Sequence, residues 1–122
     1  MKFPARKNPF PGLWLALAGG LVLAGGQWVR ADAAPPDAAR VKALVHLVRQ
    51  DCGSCHGMTL KGGLGKPLLP QNLAGRDTEA LAEIILDGIP DTPMPPWRTE
   101  LSRDDALWIA RKLKAGFPHE KP

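Results

Sequence analysis

Cys52-Gly53-Ser54-Cys55-His56 sets two thiols three positions apart and an imidazole directly after the second. C-x-x-C-H is the spacing of c-type haem attachment. The two thiols would add as thioethers across the two vinyl groups of a haem. The two intervening residues let both sulfurs reach one edge of the macrocycle, and the adjacent imidazole then points at the iron from that side. Gly53 and Ser54 are small, which suits a turn pressed against a flat ring. Three other uses of such a pair stand beside this one. A structural zinc site wants four ligands, whereas the chain has no third cysteine, and His46 and His119 have no matching spacing. A thioredoxin-like redox pair belongs in a βαβ context, and the surrounding pattern is helical. A plain disulfide would close a tiny loop and stabilise little.

An iron held by one histidine has a sixth position to fill. Met94 is the candidate, 38 residues after His56 in Thr92-Pro93-Met94-Pro95-Pro96-Trp97. A thioether there raises the potential relative to two imidazoles. Pro93, Pro95 and Pro96 fix φ and remove donors, so the loop is stiff and is expected to hold the Met94 sulfur over the iron. Met58 lies two residues past His56 and would have to cross the ring plane, so it is not expected to ligate. If Met94 were an ordinary core methionine, the sixth position would be open or taken by His46 or His119. His46 falls on the polar side of a helix and His119 close to the C-terminus, where solvated histidines are the ordinary reading.

These residues need elements to position them, and three stretches read as helices. The first covers about Asp37 to Gln50, with Val41, Leu44, Val45 and Val48 on one face and Asp37 as N-cap. The second covers about Thr78 to Asp87, with the stripe Leu81, Ile84 and Ile85, a start at Asp77 or Thr78, and Gly88 at its end. The third covers about Arg103 to Ala115. There Ser102-Arg103-Asp104-Asp105 resembles a capping box with Asp in place of Glu, and Ala106, Ile109, Ala110 and Leu113 form the apolar face. Between them lie Gly57–Arg76, rich in Gly and Pro, and Ile89–Glu100, with four prolines. No stretch alternates with a period of two, so no sheet is expected. The reading is an all-α domain. Its aromatics after the N-terminal third are Trp97, Trp108 and Phe117 alone. A chain so small and so poor in large apolar groups wants a cofactor to complete its core.

The first third reads differently. Lys2, Arg6 and Lys7 precede an uncharged run from Asn8 to Val29, the pattern of an export signal. Its apolar part, Leu13 to Ala24, suits a signal peptide better than a membrane span, which wants about 20 residues. Ala31-Asp32-Ala33 offers small residues for cleavage after Ala33. Residues 1–33 are thus expected to be a signal peptide, with an uncleaved anchor as the alternative, and 34–122 the folded domain. Residues 1–33 carry +3 of the chain's net charge of +4, and the remaining 89 residues carry +1. A nucleic-acid-binding domain loses its electrostatic footprint on this count.

With C-x-x-C-H, a downstream Met94-Pro95 and a closing amphipathic helix, residues 37–117 resemble the class I c-type cytochromes. The resemblance implies a small fold of about three main helices plus Gly/Pro-rich loops wrapped around one covalent haem c. Cys52 and Cys55 would be its thioether attachments, and His56 and Met94 its axial ligands. In that family a proline carbonyl after the haem histidine accepts the ring N–H. Pro67 matches that place, though Lys66 stands where the family usually has Gly. The same likeness implies haem packing by Leu69, Leu86 and Trp97, with an ordinary core place an equal alternative for Leu69 and Leu86, and a propionate bond from Trp97 or Arg98. It also crosses the first and last helices with Val45 or Val48 against Ile109 or Leu113. Lys61, Lys66 and Arg98 are candidates for the haem edge, with solvated surface as their ordinary reading.

The stretch Gln50–Gly65, and Ile85-Leu86-Asp87-Gly88 followed by Met94-Pro95-Pro96-Trp97, is similar to the small monohaem cytochrome of denitrification clusters (cytochrome c55X, NirC type). That likeness implies a periplasmic, monomeric electron-transfer protein and not an enzyme, which passes electrons to cytochrome cd1 nitrite reductase. The alternative role is a factor that assists maturation or insertion of the d1 haem of that reductase. Neither role calls for nucleic acid, nor for a membrane once the signal is cleaved.

Overall fold

The computed structural model describes residues 35–118. The expected leader, its cleavage point and His119 lie outside the described residues. Asp37 caps helix α1 (Ala38–Leu47), its carboxylate accepting the Arg40 N–H at 2.8 Å. Leu44, Val45 and Val48 turn inward as their spacing predicts. The helix does not stop near Gln50. It passes through a π-turn, Val48–Cys52, in which the Gly53 N–H reaches back to the Val48 carbonyl. It then re-forms as α2 (Gly53–His56). The attachment motif therefore sits at the end of a continuous helical rod and not in a turn: no proline falls between Val48 and His56, and Gly53 keeps helical dihedrals. Gly53 is buried there, and a Cβ would lie 3.3 Å from Met58.

A short helix that periodicity is too brief to show, α3 (Pro70–Leu73), starts with proline at its first position, where no N–H is needed. Helix α4 (Thr78–Asp87) is capped by Asp77, which accepts the Ala80 N–H at 2.8 Å. Helix α5 (Arg103–Ala115) opens on a reciprocal capping box: the Ser102 hydroxyl accepts the Asp105 N–H, and the Asp105 carboxylate accepts the Ser102 N–H.

Helices α3 and α4 pack on α5. Leu44, Val48, Leu60, Leu86 and Ile109 are fully enclosed. Trp108 meets Phe117 edge to face, with ring centres 6.1 Å apart. Val45, Val48, Ile109 and Leu113 belong to one buried cluster. Arg40 adds a fork onto Asp105, at 3.1 and 2.8 Å. The fold is all-α, and no strand occurs among the described residues. None of their helices is long and apolar enough to cross a membrane. On α4 the core takes Ala82 and Leu86. Of the expected stripe, Leu81 and Ile85 pack at the edge of that core, and all three of Leu81, Ile84 and Ile85 also line a cavity.

Candidate haem-binding site

That cavity has a volume of about 550 Å³, inside the range of about 300–1,000 Å³ usual for small-molecule and cofactor sites. Cys52, Cys55 and His56 reach it from the end of the helical rod, and Met94 from the loop after α4. Apolar side chains make most of the remaining wall, among them Val48, Leu68, Leu73, Leu81, Ile85 and Ile109. At the mouth, Leu64 is 75% and Ile89 43% exposed. Large apolar groups open to water around a cavity mark a binding surface, and a flat apolar macrocycle would cover them.

The donors are set up one by one. The His56 Nδ1 lies 2.6 Å from the Lys66 carbonyl oxygen. A carbonyl only accepts, so Nδ1 carries the hydrogen and Nε2 keeps a free lone pair. Gly65 lies flat against the ring. A Cβ at Gly65 would come within 2.7 Å of His56 Nδ1 and Cε1, so no other residue fits without moving the imidazole. The Gly65 N–H also closes the end of α2 by donating to the Cys55 carbonyl at 2.8 Å. Burial, with a smaller push from the charge of Asp51, raises the Cys52 thiol to about 11, so it stays protonated at neutral pH.

The Met94 loop is pinned at both ends. The Ile89 N–H donates to the Met94 carbonyl at 3.2 Å, and the Trp97 N–H to the Leu86 carbonyl at 2.9 Å. Gly88 has φ +66°, and a Cβ there would meet the Met94 oxygen at 2.6 Å. Two thiols side by side for attachment to the macrocycle, with an imidazole and a thioether as iron donors in an apolar cleft, are the set that haem c takes, and the residues present fit that group.

Several expectations change. Pro67 lines the cavity, but the carbonyl that accepts from His56 belongs to Lys66, one residue earlier. Leu69 points away into a second cavity, and Leu68 and Leu73 line the first. Leu86 lies in the helical core and does not line the cavity. Trp97 does line it. Arg98 does not, because Asp87 and Glu83 hold its guanidinium at 2.5 and 2.9 Å. Lys61 borders the second cavity, and Lys66 the first. Met58 and His46 are exposed and outside the site. Arg76, absent from the sequence reading, reaches the cavity and stands there as the arginine candidate for a propionate. Its position just after α3 gave no periodic signal.

A helical scaffold of this size that brings two thiols, an imidazole and a thioether to one apolar cavity has the architecture of a small c-type cytochrome. Residues 39–111 match the family described as cytochrome C oxidase, cbb3-type, subunit III. Cytochrome c55X of Paracoccus denitrificans (strain Pd 1222) is 60% identical over 93 residues, which is 76% of this chain and 87% of that protein. The solved structure of a c-type cytochrome NirC shares 52% identity at a TM-score of 0.66, covering 67% of this chain and 96% of that one. Dihydro-heme d1 dehydrogenase of Pseudomonas aeruginosa is 38% identical over 92 residues, 75% of this chain but 16% of that protein. The chain belongs to the c-type cytochromes, in the cytochrome c55X (NirC) family. Haem binding and electron transport in the setting of denitrification go with that family.

Proposed function

We propose that this chain is a periplasmic carrier with one covalent haem c that hands single electrons to cytochrome cd1 nitrite reductase. The observation that carries the reading is that Cys52, Cys55, His56 and Met94, drawn from two separate stretches, line one apolar cavity. When bound, the haem supplies a ferric/ferrous couple whose potential follows its axial ligands, burial and hydrogen bonds. Cys52 and Cys55 would hold it through thioether bonds, and His56 Nε2 and the Met94 sulfur would ligate its iron. The Lys66 carbonyl fixes the imidazole tautomer and the ring plane. Pro93, Pro95 and Pro96 keep the Met94 backbone from relaxing between oxidation states. Leu64 and Ile89 surround the mouth, where a partner would dock through a small, short-lived interface. Residues 1–33 direct export.

The test is expression with a periplasmic haem-attachment system, followed by ferric and ferrous optical spectra of the wild type and Met94→Ala. A covalent haem with a methionine-to-iron charge-transfer band, lost in the variant, is expected. Covalent haem without that band, and with ready binding of carbon monoxide, would overturn the carrier reading. A second role, assisting maturation of d1 haem, draws support from the likeness to part of dihydro-heme d1 dehydrogenase. A deletion strain whose nitrite reductase carries its full d1 complement would rule it out.

A further inference from the structure

Arg49 is a cation that the haem site does not use, and yet it is only 8% exposed. It stands in the π-turn, three residues before Cys52. Its Nη1 donates to the Met58 carbonyl at 3.2 Å, and its Nη2 to the Phe117 carbonyl at 2.9 Å. Nε and Nη2 both donate to the Pro118 carbonyl, at 3.1 and 2.9 Å. Its guanidinium carbon lies 5.5 Å from the centre of the Phe117 ring. One side chain thus joins the turn that leads into the attachment motif, the loop that leaves it, and the segment after α5. These acceptors are neutral. They solvate the guanidinium without cancelling its charge, and an arginine does not shed its proton. Arg49 borders the second cavity together with Leu68, and Leu68 also lines the haem cavity, so a single leucine is common to both.

We propose that Arg49 is a positioning residue for the haem: it clamps the segment after α5 onto the attachment motif, and its buried charge favours the ferrous over the ferric state. The proposal rests on the haem reading above. Ferric haem carries one more positive charge than ferrous haem, and a nearby cation opposes that charge most strongly where water is excluded. Asp51, Lys66 and Arg76 also border the haem cavity, but all three are exposed and water screens them.

The experiment compares the midpoint potential, optical spectra and thermal midpoint of wild-type, Arg49→Met and Arg49→Lys holoproteins. Arg49→Met is expected to keep the methionine charge-transfer band and to show a lower midpoint potential. Arg49→Lys is expected to recover most of that potential while remaining less heat-stable than the wild type, because an ammonium cannot span the same carbonyls. Covalent haem with an intact band and an unchanged potential in Arg49→Met would overturn the proposal and leave the haem reading standing. If Arg49→Met fails to accumulate, Arg49→Lys decides: a near-wild-type potential supports the role of charge, and a lowered one overturns it. A wild type with no covalent haem would overturn the haem reading and this proposal together.

Discussion

His56 has two ring nitrogens, and the Lys66 carbonyl takes one of them. What remains is an imidazole with a single direction in which to donate electrons, held there by a backbone that approaches within van der Waals contact at Gly65. Gly65→Ala would put a methyl 2.7 Å from the ring. Overpacking of this kind costs about 1–3 kcal/mol. The expected outcome is a less stable holoprotein by that amount in denaturant unfolding, with less haem attached per chain. At this scale the sequence shows the donors, because C-x-x-C-H is a local spacing and Met94 sits in an unusual run of prolines. It does not show which carbonyl meets His56. That choice depends on how the Gly57–Pro67 loop closes over α2, and a one-residue shift moves the acceptor from Pro67 to Lys66. Nor does it show Arg49 as buried, since an arginine on a helix reads as solvated until the segment after α5 is laid across it.

The loop between α4 and α5 places Met94, the proposed second iron ligand, and its geometry starts at Gly88. Positive φ at that residue turns the chain sharply out of α4, and the missing side chain admits the Met94 and Pro95 backbone. Gly88→Ala is therefore expected to retain covalent haem but to lose the methionine charge-transfer band and admit carbon monoxide, as read from spectra. By contrast, the ion pairs of Arg98 with Asp87 and Glu83 are about half exposed, and water screens such pairs until they contribute little. Arg98→Gln should leave the unfolding curve close to that of the wild type and keep the band, since backbone hydrogen bonds already close the loop. The elements themselves were legible from caps and periodicity, which are local. The orientation of α4 was only half legible. Leu81, Ile84 and Ile85 are apolar as a core face would be, yet Ala82 and Leu86 are the fully buried residues of α4, and the other three line the cavity. Sequence periodicity cannot tell a face that meets protein from a face that meets a macrocycle.

Across the whole molecule, one polar contact ties the start of the first helix to the start of the last. Asp105 caps α5 and receives the Arg40 fork, so the two ends of the described chain are joined through a carboxylate that is 7% exposed. The hydrogen bond from Arg40, aided by Ser102 and opposed by burial, holds this carboxyl at about 2, below its ordinary 3.8. A carboxyl with a depressed folded-state value stabilises the fold above its unfolded value, and that stability is lost as pH falls through the folded one. The contribution should therefore be complete above about pH 4 and vanish towards pH 2. Because the Arg40 side chain is 40% exposed, solvent screening reduces the effect to on the order of 1–2 kcal/mol. Asp105→Asn keeps the shape of the cap and removes the charge. Urea unfolding of both proteins from pH 7 down to pH 2 should show the variant less stable by that amount at neutral pH. The gap should close between pH 4 and 2, as the wild type alone loses its pair. A gap that stays constant over that range would assign the contribution to the cap hydrogen bonds and not to the charge that links α1 to α5.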